Sequence, residues 1–134
     1  MRYHNYFQTV AQETAKLSYS TRLKVGAVAV KDRRIICVGF NGQPPGLPNK
    51  CEDEHNNTLP TVLHAEENLI LFAAKHGISL NNCDLYITHS PCINCSKLIF
   101  GAGLAKVYYS EYYRDSAGVE FLKAVGVAVY DKMG

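Results

Sequence analysis

The sequence predicts a three-layer α/β/α fold, in which a mixed five-stranded sheet is covered by helices on both faces. Three observations carry this expectation. Segments of helical and strand periodicity follow one another as helix, strand, strand and then alternating helices and strands, an order that lays helices over a sheet. At 134 residues the chain has the length of one domain, enough to bury about two-thirds of its unfolded surface. With 47% hydrophobic and 19% charged residues it also lacks the low hydrophobicity that keeps a segment disordered. A single domain over residues 1–134 is expected.

Each element has its own signal. Residues 3–19 place Tyr6, Phe7, Val10, Ala11, Thr14 and Leu17 at helical spacing. VGAVAVKDRRIICVGF carries two β-branched runs around Lys31, Asp32 and Arg33 and reads as a hairpin. From 41 to 60 the composition turns to Gly, Pro, Asn and acidic residues; a loop of this length in a compact domain usually has a function. A helix is predicted from Val62 to His76, stopped by Gly77. CDLYITH then reads as a strand, 92–101 as a short helix, KVYYSE as a strand, SAGVEFLKAVG as a helix and VAVYD as the last strand. No internal repeat or low-complexity tract interrupts the series.

Charge and cysteine usage narrow the function. A formal net charge of +2 gives no dense basic field, which argues against large nucleic acid or a membrane surface and for a small partner. The first residues carry neither a long apolar run nor a small-residue cleavage site, so no signal peptide or membrane span is expected and the protein reads as cytoplasmic. Five cysteines without a secretory signal are then ligands, nucleophiles or buried apolar groups rather than a disulfide framework.

SPCINC sets Cys92 and Cys95 three apart where Pro91 precedes a helical run, with both sulfurs on one face of the first turn. Alone, C-x-x-C fits a redox pair, half of a structural zinc site or two buried cysteines. His64, at the start of another helix in VLHAEENLI, supplies a third zinc ligand, and a catalytic zinc uses three with the fourth position open. A structural site would need one more ligand. Cys37 and Cys83 sit in apolar strands and read as core, His4, His76 and His89 belong to no paired motif, and Cys51 with His55 makes only half a second site. Zinc lowers the pKa of a water in the open position toward ~7, so a proton carrier is needed beside it. Glu66 and Glu67 both qualify: an ideal helix puts Glu67 on the face of His64 and turns Glu66 away by about 200°. Periodicity leaves the choice open.

H-A-E at 64–66 with P-C-I-N-C at 91–95 resembles the zinc-dependent nucleobase deaminases, marked by H-x-E with P-C-x-x-C. The resemblance implies His64, Cys92 and Cys95 as Zn²⁺ ligands and Glu66 as the general acid and base of hydrolytic deamination, with Glu67 a bystander. VGAVAVKDRRIICVGFNGQPPG and YYRDSAGVEFLKAVGVAVY are similar to segments of the deoxycytidylate (dCMP) deaminases, over about residues 20–130. The tRNA adenosine deaminases share the zinc motifs but usually carry T-L-E-P-C-x-M-C, which Ile93 and Asn94 do not match. The run T-H-S-P-C departs from T-L-S-P-C at His89, which a strand reading turns toward solvent or a neighbouring subunit.

The dCMP deaminase resemblance implies conversion of dCMP to dUMP and ammonia for thymidylate synthesis, in a cytidine deaminase-like fold. Asn41 would bond the sugar 3′-hydroxyl, although Asn41-Gly42 also reads simply as a turn pair. Backbone groups of Ala65 and Ser90 would read the cytosine edge, and Arg22, Lys24 and Arg114 would hold the phosphate. A homo-oligomer, often a hexamer, activated by dCTP and inhibited by dTTP, is implied as well. The effector would sit near Gly39, Asn41, Gly42 and Gln43 with Mg²⁺, helped by Glu52, Asp53 or Glu54. A second structural zinc at Cys51 and His55 is not expected. Two other readings stay open: a zinc deaminase of cytidine or of tRNA adenosine, and a non-catalytic zinc-stabilised binding module.

Overall fold

The computed structural model describes residues 2–113 and 115–131. Helix α1 (Arg2–Ala15) leads into a hairpin of β1 (Gly26–Lys31) and β2 (Arg34–Phe40). After the long loop come α2 (Ala65–Lys75), β3 (Asp84–His89), α3 (Ile93–Gly101), β4 (Lys106–Glu111), α4 (Ala117–Ala124) and β5 (Ala128–Asp131). The strands lie in the order β2-β1-β3-β4-β5. β1 is antiparallel to both neighbours, whereas β3, β4 and β5 run parallel, so the sheet is mixed as the order of elements predicts.

Alternation along the strands assigns the two faces. Val28 and Val30 of β1 and Tyr86 of β3 pack with Phe7 and Ala11 of α1. Ala27, Ala29, Leu85 and Ile87 point the other way, into the core built with Ala65 and Leu69 of α2, Ile99 of α3 and Leu122 of α4. The outer layer is therefore α1 alone on one side and α2, α3 and α4 on the other. Small residues let α2 come close: a Cβ on Gly39 would lie 2.6 Å from the Ala65 carbonyl and 2.8 Å from the Leu69 nitrogen. Gly39 is thus a helix-on-sheet contact, which is a packing reason for glycine at a position expected beside an effector.

Two boundaries differ from the sequence reading. α1 ends at Ala15, where Lys16, Leu17 and Ser18 donate to the carbonyls three residues back in a closing turn. α2 begins at Ala65 rather than Val62, because Leu63 pairs in extended form with Gly42: its N–H donates to the Gly42 carbonyl at 2.9 Å and its own carbonyl accepts from Gly42 at 3.0 Å. That bridge decides where His64 points. It also makes Gly42 a pairing residue, where a turn pair with Asn41 was the simple expectation. Among the described residues no helix is long and apolar enough to cross a membrane.

Candidate active site

The N-terminal ends of α2 and α3 meet at the ends of β1 and β3, where a cavity of about 480 Å³ opens between them and the long loop. His64 is the N-cap of α2, extended at φ −69° and ψ 161°, and Cys92 is the N-cap of α3 at φ −73° and ψ 171°. Neither residue is helical, so each side chain leaves its helix end instead of following the helical face. Cys95 follows in the first turn of α3, and its N–H points to Cys92 Sγ at 3.5 Å. His64 Nδ1 stands 3.2 Å from Cys95 Sγ and 3.6 Å from Cys92 Sγ, and the three donor atoms lie within 4.8 Å of one another.

This trio suits zinc. Tetrahedral coordination at ordinary Zn–N and Zn–S lengths requires N···S edges of about 3.6 Å, close to the separations present. One imidazole and two thiolates balance the 2+ charge, and the N-terminal ends of two helices favour the anionic sulfurs. The protons already lean that way. Hydrogen bonds from Cys95 and then His64 pull the Cys92 thiol down to about 4, and the bond with Cys92 raises His64 to about 9. Cys95 is pushed up, first by Cys92 and then by burial, so it is the thiol that must surrender its proton to a metal.

The two glutamates separate clearly. Glu67 Oε1 accepts the His64 backbone N–H at 2.7 Å, closing the first turn of α2 as a cap. Glu66 is buried and lines the cavity together with His64 and Cys92. Burial pushes its carboxyl up to about 7, against the pull of its own backbone N–H and of His64. The helix-face argument that pairs Glu67 with His64 does not apply, because His64 is outside the helix.

Across the cavity, Glu52 organises the turn at 20–22. Its Oε2 accepts from Ser20 Oγ at 2.8 Å, Thr21 N at 3.0 Å and Arg22 N at 3.3 Å. Burial alone would raise the Glu52 carboxyl, but these three donors outweigh it and hold it below the usual carboxylate range. A depressed carboxyl contributes stability that is present above its ordinary pKa and lost as pH falls through its folded value. Glu52→Gln is therefore expected to cost roughly 1–3 kcal/mol at pH 7, with the gap to wild type narrowing below pH 4; urea titrations at both pH values would show it. An equal gap at both would mean that the ionised form is not what holds the turn.

The structure sorts the other site residues predicted from sequence. Arg22 lines the cavity, with Nη1 bonded to Thr58 Oγ1 at 3.3 Å, as do Asn41, Ala65 and Ser90. Asn41 also braces the segment before β1: its Oδ1 accepts from Val25 N at 2.8 Å and its Nδ2 donates to the Leu23 carbonyl at 2.7 Å. Lys24, of which a phosphate role is expected, is not in the lining, and its Nζ donates to the Ser18 carbonyl at 2.7 Å. Gln43 ties the loop to itself through the Lys50 carbonyl and Thr61 Oγ1, away from the lining. Arg114 lies outside the described residues.

The acidic residues expected to help with Mg²⁺ do not converge. Glu52 holds the 20–22 turn, and Asp53 Oδ1 accepts from His55 N and Asn57 N, both at 2.9 Å. Glu54 sits at the surface beside His55. Cys51 is buried, with Sγ 3.4 Å from the Asn49 carbonyl. Among the described residues, His64, Cys92 and Cys95 are the group of histidine, cysteine and acidic side chains placed to hold a metal.

Sequence reasoning missed Thr58, Val62, Tyr112 and Tyr113 in the cavity wall. The tyrosines had a usable signal, since they directly follow a strand of the parallel half of the sheet, where α/β proteins place their ligands. His89, expected to face solvent or a neighbour, also lines the cavity. It shares the alternation of Leu85 and Ile87, whose face packs under α2.

Comparison with known proteins agrees with this geometry. A model of the cytidine and deoxycytidylate deaminase zinc-binding region matches residues 1–111. The dCMP deaminase of Mycobacterium phage D29 is 36% identical over 118 residues, covering 78% of this chain and 91% of the relative. A deaminase of Aliivibrio fischeri is 41% identical over 110 residues, covering 81% of this chain and 73% of the relative. Among solved structures, the dCMP deaminase of cyanophage S-TIM5 in complex with dCMP and dUMP superposes with a TM-score of 0.91 at 41% identity, covering 95% of this chain and 94% of that one. Motif, donor geometry and fold converge, and the chain belongs to the cytidine and deoxycytidylate deaminase family with its zinc-binding region.

Proposed function

We propose that the protein is a single-domain hydrolase over residues 1–134 that converts dCMP and water to dUMP and ammonia, supplying dUMP for thymidylate synthesis. The observation that carries this reading is Glu66, a buried carboxyl facing the cavity beside three converging zinc donors. His64, Cys92 and Cys95 would hold the zinc, whose chemistry when bound is to make a water acidic enough to yield hydroxide near neutral pH. Glu66 takes one proton from the attacking water and carries it to ring N3 as oxygen adds at C4, then takes the second from the new C4 hydroxyl and delivers it to the amine as the C4–N bond breaks, leaving a C4 carbonyl and ammonia. Its burial keeps the carboxyl able both to accept and to release a proton close to pH 7. Ala65 and Ser90 would read the base edge, Asn41 the sugar, and Arg22 the phosphate.

Regulation belongs to the same proposal. dCTP would activate and dTTP inhibit through the loop that begins at Asn41, which touches both the cavity and the segment entering β1. Because Glu52 and Asp53 are already engaged and Glu54 stands apart at the surface, Mg²⁺ would arrive with the triphosphate rather than in a protein cage. A cytoplasmic location and a homo-oligomer, a hexamer by resemblance, belong to the same reading; the exposed apolar side chains Leu71 and Phe72 on α2 and Leu98 and Phe100 on α3 support self-association.

The test is ammonia release by the zinc-loaded protein from dCMP, CMP, deoxycytidine and a tRNA adenosine substrate, with and without dCTP. Turnover of dCMP at least a hundredfold above the others is the expected result. Indifference to the 5′-phosphate would move the assignment to another zinc deaminase. No turnover of any substrate would leave the non-catalytic zinc module.

A further inference from the structure

The cavity wall contains a polar side chain that the deamination chemistry does not use. His89 ends β3 opposite Glu111 of β4, half-buried, with its side chain on the cavity. One edge of the ring is fixed. Nδ1 lies 2.8 Å from Thr88 Oγ1, and the same hydroxyl accepts the Gly26 N–H at 3.1 Å. A threonine hydroxyl has one proton and two lone pairs, so with the Gly26 N–H on one lone pair it is free to give its proton to Nδ1. In that tautomer the imidazole proton sits on Nε2, a donor without a protein partner among the described residues. Burial keeps the ring below its usual pKa range against the pull of Glu111, which fits a neutral donor.

A fixed N–H donor in a substrate cavity calls for an acceptor on the substrate. With the base edge assigned to Ala65 and Ser90 and the sugar to Asn41, the acceptor left for it is the phosphate, which presents several strong ones. Arg22 is the one lysine or arginine among the cavity's described lining residues, and Lys24 donates to the Ser18 carbonyl. Among the described lining residues, neutral donors are what can add to Arg22 in the coordination of a phosphate. We propose that His89 is a specificity-determining residue whose Nε2–H donates to the 5′-phosphate of the bound nucleotide, complementing Arg22. This assignment rests on the nucleotide reading of the cavity and goes further, since the T-H-S-P-C run places this donor where the resembled pattern has leucine.

The experiment compares wild type, His89→Leu and His89→Gln, all zinc-loaded, in two measurements. The first is kcat and KM for dCMP and for deoxycytidine; the second is calorimetric binding of dUMP and of deoxyuridine, which needs no turnover. A charge-assisted hydrogen bond predicts that His89→Leu loses about ten- to a hundredfold in kcat/KM for dCMP and in dUMP affinity. The kinetic loss should fall mainly in KM, the constants for the two nucleosides should stay within twofold, and His89→Gln should restore part of the difference. Equal losses on nucleotide and nucleoside would make His89 merely structural, and no loss would remove it from the phosphate site; either overturns the proposal. Wild type that binds dUMP but does not deaminate dCMP would sink the enzymatic reading while the dUMP comparison still decides the role of His89. Wild type that does neither overturns both.

Discussion

Glu66→Gln is expected to lower turnover of dCMP by about 10²- to 10⁴-fold, the usual worth of a positioned general acid and base. Glu67→Gln should remain within a few-fold of wild type. Gln keeps the shape of each side chain but cannot cycle a proton, so the pair isolates proton transfer from packing. At position 67 a glutamine oxygen can still accept the His64 N–H, the bond made at 2.7 Å in the native helix start. Zinc content and the thermal transition should be unchanged in both variants. Equal activity losses in the two would show that the first turn of α2, rather than the Glu66 carboxyl, was damaged.

Gly118→Ala should cost the site its metal ligand geometry from a position that never touches the cavity. A Cβ there would lie 2.1 Å from the Pro91 carbonyl and 2.7 Å from the carbonyl carbon and oxygen of Cys92. All three are backbone atoms in the turn that carries Cys92 into the N-cap of α3, so no side chain can swing aside. Either α4 backs away from α3 or the Pro91–Cys92 peptide shifts and takes the sulfur with it. The expected stability loss is about 1–3 kcal/mol, with zinc per chain after dialysis well below wild type and activity falling in proportion to the zinc lost. Gly101→Ala is the control: it has open space around its Cβ and helical surroundings, and should be neutral or slightly stabilising. Full zinc retention in Gly118→Ala would mean that the α3–α4 contact yields without disturbing Cys92.

Much of the fold is legible because periodicity is a local property. The hairpin is legible even though its turn uses Asp32 at φ 52° and Arg33 at φ 63° in place of the usual Asn-Gly. The parallel half of the sheet follows from alternation of helix and strand, since parallel neighbours need a crossover between them. Less legible is the start of α2. Val62 and Leu63 suit a helix by composition, but Leu63 is claimed by Gly42 from the far side of a long loop. No window of sequence contains both partners.

The same distinction runs through the site. Residue types and spacing identify His64, Cys92 and Cys95 as one donor set, because few side chains bind zinc and three of them stand at the starts of predicted helices. Lys24 shows the opposite case: as a cation near the right segment it reads as a phosphate ligand, yet the Ser18 carbonyl six residues earlier takes its ammonium. Glu52, expected from sequence to help with an effector and Mg²⁺, is the acceptor on which the 20–22 turn closes.

By itself the sequence determined the order of helices and strands, the chemistry of the zinc donors and the presence of two carboxylates beside them. Motif resemblance already pointed to Glu66; the tertiary structure decided how that carboxylate comes to face the cavity, that Arg22 lines it, and that His89 points inward. The physical reason is that donor chemistry and periodicity are written residue by residue, whereas direction is set by long-range backbone pairing. The Gly42–Leu63 bridge holds His64 out of the helix, and that offset leaves Glu67 to cap the helix and Glu66 to line the cavity.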